Sequence, residues 1–162
     1  MQHLINMTNN IDFNRETAEA IYFFTPRFYA LDNFSAFTVE IWGKVFPTSE
    51  HAYQWKKYSL SDPKLAEEIF KATSPHATKK IADANKEKVT VTHDEKEEFM
   101  ETILRAKTEQ HDKVLRTLLE TGEKMIIENS PNDEFWGIGN GSGKNTLGKI
   151  WMKIRNELNI EK

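Results

Sequence analysis

The chain contains no cysteine, which excludes disulfides, thiolate nucleophiles and cysteine-based zinc sites. It also lacks a surplus of positive charge. Twenty-two lysines and arginines stand against 25 aspartates and glutamates, a formal net charge of −3, so no global field draws it onto nucleic acid. Any polyanionic partner must be held locally. No stretch approaches the ~20 apolar residues of a membrane span. Met1–Asn10 has neither the cationic start nor the apolar segment of a secretory signal. A soluble, cytoplasmic, monomeric protein is the expectation. Repeats, linkers and low-complexity tracts are missing too, and 162 residues at 38% hydrophobic suit one domain whose core needs no staples.

Two segments rich in β-formers, Ala20–Phe24 and Phe37–Trp42, read as short strands. Pro47 and Thr48 open a first helix. Asp62-Pro63 and Ser74-Pro75 each pair a capping residue with a proline at the first helical position, which predicts two more. From Asp94 to Glu120 the apolar residues keep helical spacing, with a break expected near Gln110 and a stop at Gly122. Lys124–Glu128 reads as a buried strand. A last helix runs from about Thr146 to Leu158, with Leu147, Ile150, Trp151, Ile154 and Leu158 facing inward. The expected fold is α+β, a single compact and mostly helical domain with a few short strands. It spans residues 20–162 after an N-terminal extension of residues 1–19.

The first helix carries the chemistry. Glu50, Gln54 and Lys57, at i, i+4 and i+7, share one face and gather an acid, an amide and an amine. The plain alternative is a solvated stripe in which Glu and Lys complement one another at the surface. His51, Trp55 and Tyr58 form an adjacent stripe, suited either to core contact or to walling a flat ligand. No second histidine sits at zinc-ligand spacing, so no metal is expected.

A second cluster, Asn132 to Gly139, runs into glycine-rich sequence ending at Gly143 before the last helix. It is not a Walker A loop, which needs glycine in place of Ile138 and Ser or Thr in place of Asn145. It is not a dinucleotide fingerprint either, because Ser142 stands at the third glycine position counted from Gly137. What survives is a choice between a loop that brings backbone N–H groups to a phosphate and a plain turn. Asp133, just upstream, is either a turn former or a carboxylate facing the same pocket.

The residues Phe23-Phe24, Asn33-Phe34-Ser35-Ala36-Phe37, Pro47-Thr48-Ser49-Glu50-His51 with Gln54 and Lys57, Asp133 with Trp136-Gly137 and Gly139, and Asn145 with Leu147-Gly148, Met152 and Arg155 follow in an order that closely resembles the NADAR family. The resemblance spans about residues 20–158. It implies an N-glycosidase domain with no metal or cofactor. One branch of the family is similar to enzymes that hydrolyse ribosylamino-pyrimidine intermediates of riboflavin synthesis. Another removes ADP-ribose from guanine in DNA and counters DarT-type toxins. In both substrates, ribose C1 is joined to an exocyclic amine.

On this resemblance Lys57 is the expected nucleophile, Glu50 the proton carrier, and Asp133 a partner for ribose hydroxyls or for acid/base work. Gln54 orients Lys57 or a sugar hydroxyl. Phe23, Ser35, His51, Trp136, Gly137, Gly139 and Asn145 complete the expected ligand-binding set. Two positions depart from the family. Riboflavin-side relatives carry a tryptophan where this chain has Thr92, four residues before Lys96, and the family usually has asparagine at Ala36. Base–aromatic stacking is worth ~1–3 kcal/mol, so the loss at Thr92 tilts the expectation toward ADP-ribosyl-guanine, with His93 as a substitute stacking group. The alternatives are the pyrimidine substrate and a module that binds ADP-ribose or NAD without cleaving it. A nucleic-acid-binding protein proper would need a basic face, yet acids interrupt the lysines, as in Glu95-Lys96-Glu97-Glu98.

Overall fold

A computed structural model describes residues 13–24 and 29–161; the reading of Met1–Asn10 falls outside them. The elements in order are β1 (Arg15–Glu16), β2 (Ala20–Phe23), β3 (Val39–Ile41), β4 (Lys44–Phe46), α1 (Ser49–Tyr58), α2 (Pro63–Lys71), α3 (Pro75–Asp83), a 3-10 turn (Lys86–Lys88), α4 (His93–Gln110), α5 (Asp112–Glu120), β5 (Met125–Glu128) and α6 (Thr146–Ile160). The fold is α+β and mainly helical, as the sequence predicts.

Local chemistry explains the helix starts. Thr48, Asp62, Ser74 and Thr92 each accept a hydrogen bond from a backbone N–H in the first turn of the helix that follows, and Pro63 and Pro75 occupy first helical positions. The expected break near Gln110 falls at His111, whose extended backbone separates α4 from α5. The Gln110 side chain there pairs with both backbone groups of Glu40, as a neighbouring strand would.

Sequence reading missed two strands. β4 pairs antiparallel with β3 across a two-residue turn, Trp42-Gly43, in which both residues have positive φ (51° and 73°). Such turns favour Asn-Gly or Asp-Gly, and a tryptophan at the first position hides the signal. β1 pairs antiparallel with β2.

The three-stranded sheet has the order β1-β2-β5, and β2 runs parallel to β5 with Phe23 level with Glu128. Parallel strands leave their carboxyl ends side by side, where ligands commonly bind in open α/β sheets. Here those ends carry Phe24 and Glu128. The main core lies between the sheet, α1, α4 and α6, around the fully buried Trp151, Leu104 and Ile126. Trp151 donates its indole N–H to Leu31 O at 3.0 Å and so fixes the segment after β2 to α6. A smaller apolar cluster of Tyr58, Leu65, Ala66, Ile69 and Ala82 ties α2 and α3 to the end of α1. No helix among the described residues is long and apolar enough to cross a membrane.

Candidate active site

The polar stripe of α1 is not solvated. Glu50 is 6% exposed and Gln54 5%, so an acid and an amide have been taken into the interior of a helix buried along most of its length. Lys57, half-buried, donates to Gln54 Oε1 at 2.9 Å, and Gln54 Nε2 donates to Glu50 Oε1 at 2.7 Å. The amide therefore links amine to carboxyl in one chain of hydrogen bonds. All three side chains line a cavity of about 490 Å³.

Electrostatics in this cavity favour proton transfer near neutrality. Burial lifts the Glu50 carboxyl to about 7, against the opposing pull of its hydrogen bond from Gln54 and of nearby lysines. Burial also lowers Lys57 to about 8, with Glu50 acting in the other direction. Across the cavity, burial and then the charge of Asp133 raise Glu128 to about 8. Paired titratable groups whose environments draw their pKa values toward the working pH are the usual material of acid/base catalysis.

The facing wall is the segment 128–136. Asp133 Oδ1 accepts from Phe135 N at 3.0 Å and Trp136 N at 2.8 Å, so the residue is a turn former and a cavity residue at once. Its turn presents two aromatic rings. Trp136 meets Tyr53 edge-on at 5.3 Å, while Phe135 lies 5.0 Å from the His93 ring at a 44° tilt. All four rings line the cavity. Thr92 itself caps α4 through a reciprocal pair with Glu95 and is exposed. The flat surface at this place in the wall is supplied one residue later.

The cavity brings together Glu50, Gln54, Lys57, Asp133 and Trp136. It does not include the remaining residues expected to bind ligand. Phe23 is a core side chain packed on Tyr29, and the next residue, Phe24, reaches the cavity because side chains alternate along a strand. Ser35 is buried below the wall, donating to Asp32 O and accepting from Lys107. His51 donates from Nε2 to Ala72 O at 2.9 Å, which leaves Nδ1 to accept from Thr48; it joins α1 to the end of α2. Trp55, stacked on Trp42 at 6.1 Å, and the buried Tyr58 are likewise core contacts.

The glycine loop folds onto itself. The first N–H groups of α6 and the preceding turn donate to loop carbonyls, from Asn145 to Gly137, Thr146 to Phe135 and Leu147 to Trp136. Those donors are engaged within the protein, so the helix start offers no ready anion cradle. Asn145, in the left-handed region at φ 52°, accepts from Glu128 N and donates to Ile126 O, each at 2.9 Å. It locks the end of β5. A Cβ on Gly137 would collide with Glu128 Oε2, so glycine there makes room for the carboxyl. Gly139 takes a left-handed turn at φ 54° that a side chain would strain.

Sequence reasoning overlooked Glu128, Asp32, Asn33, Tyr53 and the rim residues His76, Lys79 and Lys96, all of which line the cavity. Glu128 had a legible signal, as a carboxylate ending an apolar strand.

The NADAR domain model matches residues 13–159. N-glycosidase YbiA of Escherichia coli (strain K12) is 39% identical over 132 residues, covering 80% of this chain and 81% of the relative. N-glycosidase Npun_R5314 of Nostoc punctiforme is 33% identical over 129 residues, covering 78% and 83%. Riboflavin biosynthesis protein VVA0006 of Vibrio vulnificus is 33% identical over 144 residues, covering 86% of this chain but 39% of that longer protein. The NMR structure of E. coli YbiA superposes with a TM-score of 0.76 at 34% identity, covering 92% of this chain and 90% of the other. With the family model covering the chain from β1 to the end of α6, this protein belongs to the NADAR family.

Proposed function

We propose that the chain is an N-glycosidase that hydrolyses the bond between ribose C1 and an exocyclic amine of a flat nitrogen base. One observation carries this reading: the buried Glu50–Gln54–Lys57 chain opens on a cavity walled by aromatic rings and carboxyl groups. A module that merely binds would have no use for a desolvated acid and a desolvated amine joined through an amide, since burying them is costly. The names of YbiA and Npun_R5314 support the same reaction class.

The chemistry follows from the bond. When the sugar ring opens, C1–O4′ breaks, O4′ takes a proton and the exocyclic nitrogen gives one up, leaving an imine at C1. Neutral Lys57 adds to C1, its nitrogen passes one proton to the base nitrogen, and protonated Glu50 supplies the second as the base departs as its amine. The resulting protonated lysine imine takes up water, returns a proton to Glu50, and collapses to free Lys57 and the sugar aldehyde. Gln54 keeps Lys57 and Glu50 in register. Asp133 and Glu128 share the acid/base work from the facing wall, where Glu128 holds its proton at neutral pH.

The preferred substrate is a ribosylamino-pyrimidine phosphate. A cavity of about 490 Å³ is in the range for a nucleotide-sized ligand, the name of the Vibrio relative points to riboflavin synthesis, and His93 with Phe135 supplies the flat surface that Thr92 lacks. ADP-ribosyl-guanine in DNA, with a functional link to a DarT-type toxin, is a second reading. It is favoured by Thr92 and by Lys79, Lys86 and Lys96 at the rim, which suit a diphosphate. The test is a parallel mass-spectrometric turnover assay with a ribosylamino-pyrimidine phosphate and with a guanine-ADP-ribosylated oligonucleotide. Cleavage of the pyrimidine is expected. Release of ADP-ribose from the oligonucleotide alone selects the second reading, and inertness toward both overturns the N-glycosidase assignment.

A further inference from the structure

Beside the α1 stripe lies a bend held more firmly than a loop needs to be. Residues 31–35 receive hydrogen bonds from three helices. Trp151 of α6 donates to Leu31 O, Lys107 of α4 donates to Asp32 O at 3.0 Å and to Ser35 Oγ at 3.1 Å, and Glu50 of α1 donates its backbone N–H to Asn33 O at 3.1 Å. Lys107 is fully buried for this purpose. Taking a lysine into the core to hold a loop carbonyl is costly, so the position of the bend matters.

That bend carries two unsatisfied acceptors. Asp32 and Asn33 are each 7% exposed, and both line the cavity. Asp32 Oδ1 accepts from Phe34 N at 2.9 Å, and Asn33 Nδ2 donates to Met100 Sδ at 3.3 Å. Their other atoms, Asp32 Oδ2 and Asn33 Oδ1, are buried without a hydrogen-bond partner among the described residues. Buried acceptors without donors are rare in folded proteins and call for an explanation. These two sit on adjacent residues, and the backbone of one is bonded to the residue that carries the Glu50 carboxyl.

We propose that Asp32 and Asn33 form a diol-reading site, in which Asp32 Oδ2 and Asn33 Oδ1 accept from two neighbouring hydroxyls of a ribo-configured sugar. The proposal deepens the N-glycosidase reading and rests on it for the placement of the sugar: C1 must lie at Glu50 and Lys57, so the groups flanking Glu50 meet the sugar. The aromatic rings across the cavity are then left for the base. Burial lifts the Asp32 carboxyl to about 6, so near neutral pH it is mainly an acceptor-only carboxylate. Asp133, the sequence-level candidate for the sugar hydroxyls, has one oxygen engaged in its own turn. The consequence is specificity. A site built to bond a hydroxyl rejects the analogue that lacks it, because the protein acceptor is left buried and unpaired.

The test needs no turnover. Binding of D-ribose 5-phosphate and of 2-deoxy-D-ribose 5-phosphate to the full chain is measured by NMR titration, for the wild type, Asp32→Asn and Asn33→Ala. Asp32→Asn keeps the side-chain volume and an oxygen for Phe34 N–H while replacing the free acceptor with a donor. The wild type is expected to prefer the ribo sugar by ~10-fold to ~100-fold, the worth of one hydrogen bond to a charged group. The variant of the residue that accepts from the C2 hydroxyl is expected to bring the ratio close to one, while the other variant weakens both sugars alike. Equal binding of the two sugars to the wild type, binding of neither, or a ratio unchanged in both variants overturns the proposal. Sugar discrimination without cleavage of any ribosylated amine would leave the diol site standing and remove the N-glycosidase reading. Cleavage without discrimination would do the reverse.

Discussion

Two regions looked comparable as sequence: the Glu50/Gln54/Lys57 stripe and the glycine loop before the last helix. Each has a bland reading, a solvated helix face for one and a plain turn for the other. The fold separates them by one criterion, whether polar groups are still free to act. On α1 the acid and amide are buried, linked to the lysine, and open only to a cavity. In the loop the donors that a phosphate would need already meet loop carbonyls, and Asn145 holds β5. A glycine-rich segment before a helix is thus an anion site only when its N–H groups remain unengaged.

The contrast is broken most directly at Glu50. Glu50→Gln keeps the shape and removes the titrating proton, and turnover is expected to fall by ~10²-fold to ~10⁴-fold, the usual worth of a general acid/base group. Steady-state kinetics beside a thermal melt checks this, since the melt should stay close to wild type. Asn145→Ala is expected to do the opposite kind of damage. It strands the Glu128 N–H and the Ile126 carbonyl, at about 1–3 kcal/mol for each buried group, and melting should drop by several degrees at ~2–4 °C per kcal/mol.

The pH profile sharpens the same contrast. In the proposed mechanism Glu50 holds a proton, so it works below about 7, and Lys57 is neutral, so it works above about 8. Both fractions are minor in the overlap. The profile of kcat/KM should therefore rise to about 7, stay flat, and fall beyond about 8, with both limbs belonging to the coupled pair. Loss of either limb in the wild type would mean that one of the two groups is not engaged. The smallest effect is expected in the loop. Ser142→Ala, at an exposed residue bonded only locally to Asn140, should leave turnover and melting within ~0.5 kcal/mol of wild type. A large rise in KM there would return the loop to the site.

Much of the fold was legible because its signals are local. The caps at Thr48, Asp62 and Ser74, the break at His111 and the apolar run of β5 are each written within a few residues. The hairpin turn at Trp42-Gly43 was not, because its backbone is set by packing of Trp42 on Trp55 and Phe99 rather than by turn chemistry. For the site, helical spacing predicted that Glu50, Gln54 and Lys57 share a face, but spacing cannot say whether that face meets water. Asp32 and Asn33 were invisible for a related reason. They come to the cavity through long-range contacts, with Lys107 and Trp151 holding the bend. Gly137, Ser35 and His51 lie close to the site in sequence yet serve it from behind, as room for Glu128, support for the bend and a tie between helices.

The most direct measurement is reductive trapping with cyanoborohydride during turnover of a ribosylamino-pyrimidine phosphate, followed by peptide mass mapping. A sugar-phosphate adduct on Lys57, absent from Lys57→Ala, is the expected result. Full turnover with no adduct on Lys57 would contradict the lysine-imine pathway and leave hydrolysis to the carboxyl groups alone.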